Sequence, residues 1–119
     1  MSDIPQARLA PPLIARLSLL AEQLLPVLAR AAKTHRMTVV HTTWVSLNAT
    51  TTAVFAAISD SQERSHRVAA ATAFDAFKWN LKLLETQRLV APGTVAAMSG
   101  DVTEVGKMIG GMLRKTPSF

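Results

Sequence analysis

The sequence contains no cysteine and no tyrosine. The lack of cysteine excludes a disulfide scaffold, a thiolate zinc site and a cysteine nucleophile. The lack of tyrosine leaves two tryptophans and four phenylalanines among 119 residues, which is few for a domain that recognises bases by stacking. Charged residues make up 18% and hydrophobic residues 49% of the chain, a composition that excludes intrinsic disorder.

Long uncharged apolar runs are also missing from this sequence. No stretch reaches the roughly 18 residues that a transmembrane helix needs. The leucine-rich stretch from Leu13 to Ala32 contains Arg16, Glu22 and Arg30, which argues against the apolar core of a signal peptide. The sequence therefore predicts a soluble, cytoplasmic protein, and its length predicts a single domain over residues 1–119.

Residue patterns typical of catalysis are absent as well. The three histidines, His35, His41 and His66, include no pair four residues apart, and no carboxylates cluster beside them, so we predict no metal site. There is no nucleophile elbow and no phosphate-binding glycine loop. We therefore expect a protein that is not an enzyme and needs no cofactor.

Apolar residues recur at alternating steps of three and four in four segments of the chain. Val95, Met98, Val102, Val105 and Ile109 are the clearest series. On an α-helix this spacing gives one apolar stripe, and it predicts helices over residues 12–32, 38–59, 62–89 and 94–114. Because the connections are short, consecutive helices should be antiparallel. The predicted fold is all-α, an up-down-up-down four-helix bundle.

The second predicted helix carries no Asp, Glu, Lys or Arg between Met37 and Ser59. A helix on the outside of a monomeric bundle normally shows a charged face to water. One interpretation is a polar, uncharged solvent face. The other, which we favour, is burial against another subunit. The residues that we expect at such an interface are Trp44, Thr50, Ala53 and Val54.

Basic residues outnumber acidic ones by 13 to 8, a net charge of +5 that favours encounter with polyanions. Lys78 and Lys82 lie four residues apart, and so on one face of the third predicted helix. The candidate nucleic-acid contacts are these two lysines and, as secondary contacts, Arg64, Arg67, Arg30, Lys33 and Arg36. The alternative for Arg30, Lys33 and Arg36 is that they offset the dipole at the end of the first helix. For the lysines it is local pairing with Asp75 and Glu85.

Four segments of this chain resemble one protein family. They are residues 24–27 (LLPV), the basic break at 33–36 (KTHR), residues 77–83 (FKWNLKL) and residues 104–112 (EVGKMIGGM). The sequence is similar over about residues 15–115 to the accessory variability determinant family of diversity-generating retroelements. That family belongs to a wider group of four-helix-bundle proteins, some of them encoded in intervening sequences of bacterial ribosomal RNA genes.

The resemblance implies a small basic protein that assembles as a barrel-like homopentamer. It also implies partners, namely the reverse transcriptase of the retroelement and nucleic acid (the template RNA and its complementary DNA), in support of mutagenic reverse transcription. The family's basic pair on the third helix corresponds to Lys78 and Lys82, with Lys where Arg is expected. Met112 stands where the family usually has a Trp. The alternative is a protein–protein interaction module of the ribosomal-intervening-sequence type with no retroelement role.

Overall fold

The computed structural model describes residues 12–35 and 38–114 of the chain, and these form four α-helices. Helix α1 spans Pro12–His35, α2 spans Val39–Ser59, α3 spans Arg64–Thr86 and α4 spans Thr94–Arg114. No residue in the described ranges is in a β-strand. The all-α prediction is therefore confirmed for the described part of the chain, and four helices stand where four were predicted.

The largest difference in helix bounds is in α3, which is shorter than predicted at both ends. At its C-terminal end the chain turns through Arg88, which has a left-handed φ of 56°. The backbone N–H of Leu89 donates to the Leu84 carbonyl at 2.9 Å, and that of Arg88 donates to the Glu85 carbonyl at 3.1 Å. These two bonds form a Schellman motif, which satisfies the last carbonyls of α3 and ends the helix.

Each helix packs against two neighbours, in the order α1, α2, α3, α4 and back to α1. Thr42, at the start of α2, is hydrogen bonded to Asn80, near the end of α3. Arg64, at the start of α3, donates to the carbonyl of Leu113, at the end of α4. Neighbouring helices in these pairs therefore run in opposite directions, as short connections require.

The predicted apolar stripes face one another inside the bundle. Phe74 and Phe77 from α3 lie at the centre, with ring centroids 5.6 Å apart. The rest of the buried core is Leu13, Leu17, Leu20, Leu24 and Leu28 from α1, Val40, Leu47 and Val54 from α2, Ala70, Leu81 and Leu84 from α3, and Met98, Val105 and Ile109 from α4. All four helices thus contribute to one hydrophobic core, which fixes which face of each helix meets the solvent.

The first helix contains a segment, Pro12–Ala31, that is long and apolar enough to cross a membrane by length and composition. The helix packs on α2 and α4, and its five leucines at 13, 17, 20, 24 and 28 are buried in the bundle core. A core helix of a bundle needs the same composition, so this segment does not decide between the two environments. The cytoplasmic location stays a prediction.

Candidate nucleic-acid interface

A shallow groove of about 200 Å³ runs between α3 and α4, and both lysines of the predicted pair line it. Helix α3 contributes Lys78, Leu81, Lys82 and Glu85, and helix α4 contributes Val95, Ser99, Val102 and Thr103. The lysines follow from the register of α3, because positions 78 and 82 lie beside the buried stripe formed by Phe74, Phe77 and Leu81. We call these eight residues the α3–α4 groove.

Lys78 is held at the edge of the groove by two contacts. Its Nζ lies 3.4 Å from an oxygen of Asp75 and 5.6 Å from the centroid of the Phe74 ring. The Lys78 side chain remains 48% exposed, and that of Asp75 is 76% exposed. A surface pair of this kind is weak because water screens it and both side chains lose rotamer freedom. Lys78 can therefore exchange this carboxylate for another anion.

Lys82 is exposed and makes no ion pair within the described ranges. Glu85 lines the same groove, so one carboxylate lies near the two ammonium groups. On the α4 side, Ser99 and Thr103 add two exposed hydroxyl groups. The Ser99 hydroxyl donates to the carbonyl of Ala96 at 2.7 Å, which leaves its oxygen lone pairs as acceptors. The groove thus offers cationic donors on one wall and hydroxyls on the other.

Arg67 does not belong to this exposed surface, contrary to its place among the secondary contacts. It is 6% exposed, and its Nη1 donates to the carbonyl of Ser61 at 2.6 Å while its Nε has no hydrogen-bond partner. Position 67 lies three residues before Ala70, so it continues the buried stripe of α3 toward the N-terminus. Its side chain therefore stabilises the turn between α2 and α3 and is not available to a ligand.

The other predicted cations are spread over both ends of the bundle. Arg64 is exposed, and its Nη1 donates to the carbonyl of Leu113 at 3.0 Å. Positions 64 and 78 are about 21 Å apart along the axis of α3. Arg30 is exposed and lines a separate cavity with the loop between α3 and α4. The side chain of Lys33 and the whole of Arg36 lie outside the described residues. The structure therefore brings Lys78 and Lys82 together, but not Arg64 or Arg30 with them.

The predicted interface residues of α2 are all buried or partly buried within the bundle. Thr50 and Val54 are buried inside the bundle, and the Thr50 hydroxyl donates to the carbonyl of Ser46 at 2.8 Å. They cannot contact another subunit, so their prediction as interface residues was wrong. Trp44 and Ala53 are partly buried and pack against the core. The exposed large hydrophobic residues of α2 are Val45, Phe55 and Ile58.

The interface prediction for Thr50 was wrong because threonine is polar, and residue type alone favours the outside of the bundle for it. In the structure, hydroxyls along α2 donate to the helix's own carbonyls, as Thr43 does to Val39 and Thr51 to Leu47. Such bonds let a threonine enter a core without leaving a polar group unpaired. The sequence does contain a signal for this burial. The same steps of three and four that mark the other apolar stripes connect Thr43, Leu47, Thr50 and Val54.

The described residues include no cluster of three or more His, Asp or Glu side chains that could hold a metal ion. No protein-family model matches the sequence, and no curated protein or solved structure is detectably similar to it.

Proposed function

We propose that this protein is a non-enzymatic accessory subunit that binds RNA through the α3–α4 groove. The observation that carries the proposal is the joint position of Lys78 and Lys82, two exposed ammonium groups one helical turn apart on one wall. Neither lysine belongs to the hydrophobic core. Lysines in this arrangement suit phosphate oxygens, which accept hydrogen bonds and carry the opposite charge. The net charge of +5 supports attraction at longer range.

The partner that we propose beside the RNA is the reverse transcriptase of a diversity-generating retroelement. This part rests on the resemblance of residues 77–83 and 104–112. The two segments lie on α3 and α4, the helices that form the groove. An accessory protein that held template RNA near the enzyme would support mutagenic complementary-DNA synthesis without any catalytic group of its own.

We further propose that the protein acts as a homo-oligomer, with the pentamer implied by the resemblance. The exposed hydrophobic surface of α2, formed by Val45, Phe55 and Ile58, supports this assembly. These side chains are 43–53% exposed, and α2 has no charged residue from Val39 to Ser59. Their burial would remove apolar area from water without leaving a buried charge unpaired. Several copies would also multiply the positive charge that RNA meets.

The second candidate is a protein–protein interaction module with no retroelement role. The exposed apolar residues of α2 favour it, because a different protein could cover them instead of a second copy. The position of the gene separates the two candidates. An adjacent reverse-transcriptase gene with paired variable and template repeats supports the first, and a gene within ribosomal RNA intervening sequences supports the second.

Fluorescence anisotropy of a labelled RNA tests the binding proposal. The Lys78→Ala/Lys82→Ala variant should bind more weakly than the wild type. A control variant, Arg16→Ala/Lys107→Ala, removes the same two charges from exposed positions outside the groove. It should lose much less affinity. Wild-type protein that binds no RNA would overturn the proposal, and so would equal losses in the two double variants.

A further inference from the structure

We propose that Trp79 is a stacking platform for an unpaired base, so that the RNA bound beside the α3–α4 groove is single-stranded at this point. This inference rests on the proposed RNA binding and adds the form of the ligand. Trp79 is 64% exposed, more than any other exposed large hydrophobic residue in the described chain. An indole left in water at this position contributes little to the fold of the monomer.

The helical register places Trp79 among the candidate phosphate contacts. It lies two residues after Phe77, which is buried, so its side chain points away from the core. Lys82 follows three residues later and therefore lies one turn along the same side of α3. Lys78 directly precedes Trp79 in the chain and lies on the side of α3 that faces α4, where it lines the groove. One base and its flanking phosphates could thus be contacted together.

The lysines beside Trp79 favour a nucleic acid over a protein partner, whereas Asp75, which is paired with Lys78, does not add to this preference. Within one turn on the exposed side of α3 lie Asp75, Lys78 and Lys82. A tryptophan that anchors a protein interface sits among neutral contacts that exclude water, and here a protein partner would have to desolvate three charges. A nucleic acid meets the lysines with phosphates that stay partly in water and offers a flat ring to the indole.

The same geometry favours a single strand over a duplex. Bases inside an RNA duplex are stacked on one another, so a side chain on the surface of a helix cannot lie against their faces. In a single strand the faces are free, and aromatic side chains stack on them with little regard to sequence. A duplex could still contact the lysines through its phosphates. Trp79 should therefore distinguish the two forms, whereas Lys78 and Lys82 should not.

The two tryptophans of the chain make the test direct. In a Trp44→Phe variant, Trp79 is the single indole reporter. Its emission should be quenched by a single-stranded RNA without self-complementarity and should stay nearly unchanged with the same strand annealed to its complement. In the wild-type background, Trp79→Ala should weaken binding of the single strand by roughly 5- to 150-fold and leave duplex binding unchanged.

Two further variants separate stacking from simple apolar contact. Trp79→Phe should retain part of the affinity for single-stranded RNA, because phenylalanine keeps a π-face. Trp79→Leu should bind as weakly as Trp79→Ala, because it keeps apolar area and lacks the face. Circular dichroism should show wild-type helical content in all of them, since the residue is exposed. A Leu variant with full affinity would overturn the stacking role.

The remaining outcomes distinguish this inference from the proposed function. If RNA binding depends on Lys78 and Lys82 but not on Trp79, the stacking role is wrong and the proposed function stands. If Trp79→Ala lowers the assembly mass in light scattering without a change in RNA affinity, Trp79 is a protein contact and the inference is overturned. If neither form of RNA binds the wild-type protein, both proposals fail.

Discussion

Asn80 on α3 and Thr42 on α2 are joined by a hydrogen bond of 3.0 Å from the Thr42 hydroxyl to the Asn80 amide oxygen. The Asn80 amide nitrogen in turn donates to the Ser46 hydroxyl at 3.3 Å and to the carbonyl of Ala76 at 2.9 Å. Asn80 is buried, so its bond to Ser46 is shielded from water and its bonds to Thr42 and Ala76 are partly shielded. They join α2 and α3 at one position along the two helices.

Two substitutions of Asn80 should differ in their effect on the free energy of unfolding, because one removes the hydrogen bonds and the other adds a repulsive contact. In Asn80→Leu, Thr42 can still donate to the Val39 carbonyl and Ser46 to the Thr43 carbonyl, so we expect a loss of less than about 1 kcal/mol in the free energy of unfolding. Asn80→Asp places a carboxylate against the Ala76 carbonyl and should cost about 2–4 kcal/mol. Urea unfolding of both variants at one protein concentration measures the difference. Equal losses would contradict the network.

Arg88 should be a position where glycine is better than any larger residue. Its φ of 56° suits glycine, because a Cβ is crowded in the left-handed region. We expect Arg88→Gly to be more stable than Arg88→Ala by about 1 kcal/mol. The comparison removes the same charge from the helix end in both variants and so isolates the backbone term. If thermal or urea unfolding gives the Ala variant equal stability, the Schellman geometry is wrong.

Charges placed on the two sides of α2 should act in different ways. Thr50→Glu puts a carboxylate in the core, where Thr50 is fully buried, and should unfold or severely destabilise the monomer. Phe55→Glu places the same charge on an exposed position and should keep the helical content while it breaks the assembly. Circular dichroism and light scattering measure the two effects. An unchanged assembly mass in Phe55→Glu would remove this face from the proposed interface.

Asp75 should act against RNA binding, because it competes for Lys78. Its carboxylate lies 3.4 Å from the Lys78 Nζ. Asp75→Asn removes one negative charge beside the groove and frees the lysine, so we expect RNA affinity to rise by a few fold at low salt and the gain to shrink as salt is added. The gain should vanish in the Lys78→Ala background. A gain that persists there would mean that Asp75 acts on the RNA by general repulsion.

The fold was largely predictable from the sequence, because steps of three and four mark a helix whatever the neighbouring chain does. The series Val95, Met98, Val102 is an example. Arg67 and Thr50 were not predictable by residue type, since each is polar and sits at a stripe position. Their burial depends on a local partner for the polar atoms: the Ser61 carbonyl for Arg67 and the Ser46 carbonyl for Thr50. Spacing was the better guide than polarity at both positions.

The candidate site was predictable in part. Lys78 and Lys82 could be placed on one face by their four-residue spacing. Ser99 and Thr103 have the same spacing on α4, but that they face the lysines depends on how α3 and α4 pack, which one helix pattern does not contain. The exposure of Trp79 could not be predicted from residue type either, because tryptophan side chains are usually buried to a large extent. Its outward position follows only once Phe77 and Leu81 are known to be buried.

The most direct test of the account is the salt dependence of RNA affinity in the wild type, Lys78→Ala/Lys82→Ala and Arg67→Met. Between about 50 and 200 mM salt, a plot of log affinity against log salt should be linear, and for a single-stranded RNA the double variant should lower its slope by about 1.4. Arg67→Met should leave the slope unchanged, because Arg67 is buried. A wild-type affinity that does not depend on salt, or a slope that the double variant leaves unchanged, would contradict binding of RNA phosphates by this groove.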